Sequence, residues 1–278
     1  MAALRIVKTV CGPVEVHDSE GTGPAVLVVH GMPGDHRQGQ TLTEDLSDHA
    51  RVLRVSRPGY GATPLSSGRT AQASADLYAA LLDELTIGQA VVVGISGGGP
   101  SSYAFAQSRS DRCRGLVLCC ALQSSLMPVP PAMRRLASVP GLWSLIARLI
   151  ALEARRKPPQ INPEDFTAAE RDQLHDPVVG GALLRFLREK PCGPGFRNDV
   201  RQLELATEPA AWRGATVPTV VLHGDLDLVV PLSHAEDYAG RIPGARLDVL
   251  AGIGHAVPLF ARQRLADLVL ELSGPATI

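Results

Sequence analysis

Several features are scarce in this 278-residue chain, and each scarcity removes a class of function. Aromatic side chains are only 4% of it, too few to suggest a surface that stacks nucleic-acid bases. An excess of either charge is missing: 27 basic residues meet 28 acidic ones, so nothing favours nucleic acid or an anionic membrane as a partner. There is no apolar run of about 18 residues, hence no candidate membrane span. The first ten residues carry Arg5 and Lys8 where a secretion signal would need an unbroken apolar core. Five cysteines (Cys11, Cys113, Cys119, Cys120 and Cys192) include no Cys-x-x-Cys pair and leave one over. Neither a disulfide framework nor a zinc site is implied, and Cys119 and Cys120 read as buried free thiols in an apolar strand. The expectation is a reduced, cytoplasmic, soluble protein.

The chain is long enough for one large α/β domain with an insertion. Leu4–Val10 and Val14–His17 read as a short antiparallel pair joined at Gly12-Pro13. Ala25–Val29 is a continuous apolar run of the kind buried on both faces of a parallel sheet, and it ends in His30-Gly31-Met32-Pro33-Gly34. Val52–Ser56 is a strand broken by Arg57-Pro58-Gly59-Tyr60-Gly61, and Ala71–Leu85 carries a helical stripe of Leu77, Leu81, Leu82 and Leu85. Val91–Ile95 and Gly115–Ala121 are strands with a helix to about Arg109 between them. Strands return at Thr219–Leu222 and Arg246–Leu250, with helices near Ser233–Ala239 and Pro258–Leu272. This alternation predicts an α/β fold: a mostly parallel sheet of about eight strands with helices on both faces. Residues 122–206 break the rhythm. They show no strand pattern, helical stripes at Leu142, Leu145, Ile146, Leu149, Ile150 and at Leu183, Leu184, Leu187, and frequent proline and glycine. We read them as an inserted helical cap, with 1–121 and 207–278 forming the core domain.

The most informative stretch is Val91-Val92-Val93-Gly94-Ile95-Ser96-Gly97-Gly98-Gly99-Pro100. A strand running into Gly-x-Ser-x-Gly and then a helix has the form of a nucleophile elbow. The small flanking residues suit a crowded turn, and the helix start suits an oxyanion. A serine hydroxyl needs a base, and the base an orienting acid. In open α/β sheets such groups collect at the carboxyl ends of strands. The loop after 219–222 holds Asp225 and Asp227, and the loop after 246–250 holds His255, so the order is Ser, Asp, His. The loop after 115–121 offers Gln123, Ser124 and Ser125, and no carboxylate. His30 and His223 also lie at strand ends, where they brace loops, and Tyr60 reads as structural.

The chain resembles the α/β-hydrolase fold superfamily, in its capped, serine-nucleophile branch. The stretches that carry the resemblance are His30-Gly31-Met32-Pro33-Gly34, Arg57-Pro58-Gly59-Tyr60-Gly61, Gly94-Ile95-Ser96-Gly97-Gly98, Gly224-Asp225-Leu226-Asp227-Leu228-Val229-Val230-Pro231 and Gly254-His255. The resemblance implies Ser96 as nucleophile, Asp227 as acid with Asp225 its rival, and His255 as base. It places the oxyanion hole at the backbone N–H groups of Met32 and Gly97. It implies acyl transfer to water on a small-molecule substrate, with no cofactor and no metal, by a monomer or homodimer. Ester, thioester and lactone cleavage fit this chemistry. Carbon–carbon hydrolysis, a lyase or cofactor-free tailoring reaction, and ligand sensing on the same fold remain alternatives. Epoxide hydrolases and haloalkane dehalogenases use an aspartate at the elbow, so Ser96 argues against both. The apolar residues Met127, Met133, Leu142, Trp143, Leu145 and Ile146 suggest an apolar substrate pocket under the cap.

Overall fold

The computed structural model describes residues 3–123, 162–188, 194–205 and 215–274. Eight strands form one sheet: β1 (Ala3–Thr9), β2 (Gly12–Asp18), β3 (Ala25–Val29), β4 (Arg51–Val55), β5 (Ala90–Ile95), β6 (Cys113–Cys119), β7 (Thr219–Gly224) and β8 (Arg246–Leu250). Their spatial order is β1-β2-β4-β3-β5-β6-β7-β8. Only β1–β2 and β2–β4 pair antiparallel; every later pair is parallel. The first turn lies at Val10 and Cys11, two residues before the expected Gly12-Pro13, because Gly12 already pairs with Thr9.

Side chains of the central strands alternate between two cores, as a period of two requires. Leu27, Val29 and Val92 face one core with helices α2 (Ala71–Glu84) and α3 (Gly99–Ser108). Val26, Val28, Val91 and Val93 face the other, which includes Leu42 of α1 (His36–Leu42). Both faces of β5 are therefore sealed, and all six of its residues are buried. Thr70 caps α2 by accepting from the Ala73 N–H.

Between β6 and β7 the described residues are helical: α4 (Ala168–Gln173), α5 (Pro177–Arg188) and α6 (Pro194–Leu205). Leu183 packs into the second core from α5. The expected stripe at Leu142–Ile150 and the apolar set Met127–Ile146 lie outside the described residues. After β7 comes α7 (Ser233–Arg241). The C-terminal helix expected near 258–272 is two helices, α8 (Val257–Phe260) and α9 (Arg262–Ser273), broken at Ala261. Val257, Leu259 and Phe260 are all buried, which is more than one face of a straight helix can present. No described helix is long and apolar enough to cross a membrane.

The topology fixes where the site lies. From β3 the chain crosses to β4 on one side, and it later returns to place β5 on the other side of β3. That reversal leaves a crevice at the carboxyl ends of β3 and β5, where residues 30–34 and Ser96 emerge.

Candidate active site

Ser96 follows β5 directly, at φ 47°, a left-handed conformation that costs a non-glycine residue about 1–2 kcal/mol. The turn is held by the Leu122 N–H, which donates to the Ser96 carbonyl at 2.9 Å. There is no room beside it: a Cβ on Gly97 would lie 2.6 Å from the Met32 Cβ and 3.2 Å from the Met32 N. That same closeness sets the Met32 backbone against Gly97, just before the start of α3. Neither of their N–H groups is used by a turn or loop hydrogen bond among the described residues.

His255 stands in the loop after β8. Its Nε2 lies 3.1 Å from Ser96 Oγ and its Nδ1 2.7 Å from Asp227 Oδ2. With Nδ1–H donating to the carboxylate, Nε2 is free to accept the Ser96 hydroxyl proton. Asp227, not Asp225, faces the histidine. Its other oxygen accepts from the N–H groups of Val229 (2.9 Å) and Val230 (2.8 Å). Asp225 turns outward and accepts the Gly252 N–H at 2.7 Å. Burial alone would raise the Asp227 carboxyl pKa; the His255 bond and the two amides outweigh it and lower the value. Burial works against an imidazolium at His255 too, while a Cys120 thiolate charge first, and then the Asp227 hydrogen bond and charge, push its pKa up. Burial holds the Cys120 thiol well above its ordinary pKa, so while it is neutral the upward push on His255 comes from Asp227.

The two other strand-end histidines brace loops. His223, fully buried, donates from Nε2 to the Val230 carbonyl at 2.9 Å, with Asp227 Oδ2 3.4 Å away. His30 accepts the Arg57 N–H at Nε2 (3.0 Å), which leaves Nδ1 to donate to the Gly31 carbonyl (2.7 Å). Tyr60 is structural in the same sense: its hydroxyl donates to Asp199 Oδ2 at 2.7 Å. Met32, Leu122 and Val230 form a small apolar cluster next to these groups. Among the described residues no group of three or more His, Cys, Asp or Glu is placed to hold a metal.

Three site supports were not evident from the sequence. Glu15, on β2, accepts from Ser56 Oγ (2.6 Å), His36 Nδ1 (2.9 Å) and the Ala62 N–H (3.1 Å), which fixes both ends of the 57–61 loop. Glu170 of α4 closes a capping box with Thr167 and also accepts the Gly254 N–H at 2.9 Å. Thr167 Oγ1 donates to the Gly252 carbonyl at 2.5 Å, so α4 holds the His255 loop at two points. Asp199 of α6 is the third, paired with the buried Arg57 through both carboxylate oxygens, 2.9 and 2.7 Å. Only the capping pattern Thr-x-x-Glu at 167–170 was a readable signal, and it marks a helix start rather than a tie to His255. Glu170→Ala leaves the buried Gly254 N–H unpaired, an expected loss of about 1–3 kcal/mol. Thermal unfolding should show a Tm on the order of 5 °C lower, with Glu170→Gln losing less.

Sequence comparison agrees with the geometry at the level of family. A model described as the alpha/beta hydrolase family matches residues 26–268, which take in six of the eight strands, β3 to β8, and the site. The chain belongs to this family. One relative in it is a pimeloyl-[acyl-carrier protein] methyl ester esterase of Aromatoleum aromaticum, 29% identical, covering 90% of this chain and 98% of its own. Another is a 2-hydroxymuconate semialdehyde hydrolase of a Pseudomonas species, 26% identical, covering 91% and 88%. Among solved structures, an alpha/beta hydrolase fold protein from Nakamurella multipartita is 30% identical with a TM-score of 0.77, covering 98% of this chain and all of its own.

Proposed function

We propose that the protein is a serine hydrolase that opens an ester-like bond (carboxylic ester, thioester or lactone) of a small, largely apolar substrate. The observation that carries this reading is the continuous line Ser96 Oγ–His255 Nε2 and His255 Nδ1–Asp227 Oδ2, at 3.1 and 2.7 Å. Ser96 attacks the substrate carbonyl as its proton passes to His255. The Met32 and Gly97 N–H groups hold the oxyanion, a contribution of about 3–4 kcal/mol to the transition state. His255 then protonates the leaving group, and water repeats the sequence on the acyl-enzyme. The cluster of Met32, Leu122 and Val230 gives the acyl side of the site an apolar wall. The 122–206 insertion serves as the lid, and among its described residues Glu170 bonds to the loop that carries His255 and Asp199 to the 57–61 loop.

A second reading is favoured by one relative's name: a hydrolase of 2-hydroxymuconate semialdehyde suggests carbon–carbon cleavage on the same triad. The test is a panel of p-nitrophenyl esters of increasing acyl length, a lactone and a vinylogous 1,5-diketone, each run before and after fluorophosphonate treatment. Ester turnover abolished by one equivalent of bound phosphonate is the expected result. Turnover of the diketone alone would favour the second reading, and no turnover of any member by a folded, labelled enzyme would sink both.

A further inference from the structure

The Gly31–Met32 peptide unit is held from one side. Its carbonyl accepts from Arg57 Nη2 at 3.1 Å and from His30 Nδ1 at 2.7 Å. A trans peptide is planar, with C=O and N–H pointing in opposite directions. Two donors on the Gly31 oxygen therefore fix the direction of the Met32 N–H, and they polarise it. That N–H is one of the two oxyanion donors. Of the two groups that hold it, His30 is set by its own strand end, whereas Arg57 is set by a residue 142 positions away.

The guanidinium of Arg57 is buried, and a buried cation needs a partner. Asp199 is that partner. Its Oδ1 accepts from Nη1 and its Oδ2 from Nη2, and Oδ2 also accepts the Tyr60 hydroxyl at 2.7 Å. The Tyr60 ring lies 5.1 Å from the guanidinium carbon. The pose satisfies both Nη atoms and leaves Nε buried without a hydrogen bond, so the Nη contacts determine where the group sits. Asp199 belongs to α6, which is seated tightly on the 57–61 loop. The Gly195 N–H donates to the Gly59 carbonyl at 3.0 Å, and a Cβ on Gly195 would lie 2.3 Å from the Tyr60 ring. Asn198 Nδ2 donates to the Arg69 carbonyl at 2.9 Å on the next turn of the contact.

We propose that Asp199 is a positioning residue for the oxyanion hole: by fixing Arg57 it fixes the Gly31–Met32 peptide, so transition-state stabilisation depends on α6 being seated. The proposal rests on the serine-hydrolase reading above. It separates binding from chemistry. Asp199 touches neither the triad nor the apolar wall, so substrate affinity and the His255 ionisation are independent of it. Its effect falls on the step in which the carbonyl oxygen becomes an oxyanion.

The test is steady-state kinetics of the full chain on an activated ester, with a boronic acid as oxyanion mimic. Asp199→Asn keeps the shape of the side chain and removes its charge. A donor displaced by a fraction of an ångström to an ångström is expected to lower kcat about tenfold to a hundredfold. KM should stay within about twofold and the acid limb of the pH profile should not move, while boronate affinity falls by the same factor as kcat. Arg57→Lys should lose as much, and the double variant little more than either single one. If Asp199→Asn does not fold, Tyr60→Phe carries the test, with an expected loss of about two- to tenfold in kcat at constant KM. Wild-type kcat in a folded Asp199→Asn, or in Tyr60→Phe where the former does not fold, overturns the proposal and leaves the hydrolase reading intact. So does a kcat that falls only in step with the folded fraction. A wild-type enzyme that neither turns over esters nor is acylated overturns both.

Discussion

Asp227→Asn is expected to lower kcat for ester hydrolysis by about four orders of magnitude while leaving the fold in place. The asparagine fits the same space and can still accept from the Val229 and Val230 N–H groups through its oxygen. If it does so, its amide nitrogen faces His255 Nδ1 and donates there. The histidine then carries its proton on Nε2, the wrong nitrogen to accept from Ser96. A second consequence concerns pH. The Asp227 hydrogen bond and charge push the His255 pKa upward, and the reaction needs the neutral imidazole, so the acid limb of kcat/KM in the wild type reports this ring and is held at higher pH by the carboxylate. Without the carboxylate that upward push is gone while burial still acts on the ring, so the residual limb should shift to lower pH. Rates measured from pH 5 to 10 for both enzymes check both points. A limb that stays put in Asp227→Asn would mean that another group titrates.

The parts of the fold that could be read from sequence are those in which one segment supplies its own evidence. Ala25–Val29 falls where the apolar pattern put it, because burial of a strand is written into consecutive residues. Arg246–Leu250 also has its expected bounds, although none of its residues is buried. Helix α1 could not be found this way. His-Arg-Gln-Gly-Gln-Thr-Leu has no apolar stripe, and the helix exists because Asp35 caps it by accepting the Arg37 N–H and because Glu15 and Ser56 hold His36. The break at Ala261 was hidden for the opposite reason, since its flanks are both good helix and only the shape of the core decides between them. The site divides along the same line. Ser96, Asp227 and His255 each lie in the loop that leaves the carboxyl end of a strand, and that local context drew attention to them. Asp225 and Asp227 were harder to separate, because the choice depends on which carboxylate the chain turns inward. Glu170 and Asp199 sit in helices of ordinary polar composition. What distinguishes them is contact with residues 84 and 142 positions away, and no periodicity in one sequence contains that.

Ser96→Ala should remove on the order of 10⁶-fold in kcat, the loss expected when a nucleophile acting as a unit with its base is deleted. Covalent labelling by fluorophosphonate should disappear with it. The backbone at this residue allows a more discriminating comparison. At φ 47° any side chain with a Cβ is strained, so alanine removes the hydroxyl and keeps the strain, whereas glycine removes both. In most positions Ala→Gly lowers stability by about 0.5–1 kcal/mol, because the unfolded chain gains freedom. Here relief of about 1–2 kcal/mol in the folded state opposes that term, so Ser96→Gly should be at least as stable as Ser96→Ala in urea or thermal unfolding. Both should be equally inactive. A glycine variant clearly less stable than the alanine one would show that the turn is relaxed, and that the placement of the serine does not come from a backbone held under strain for function.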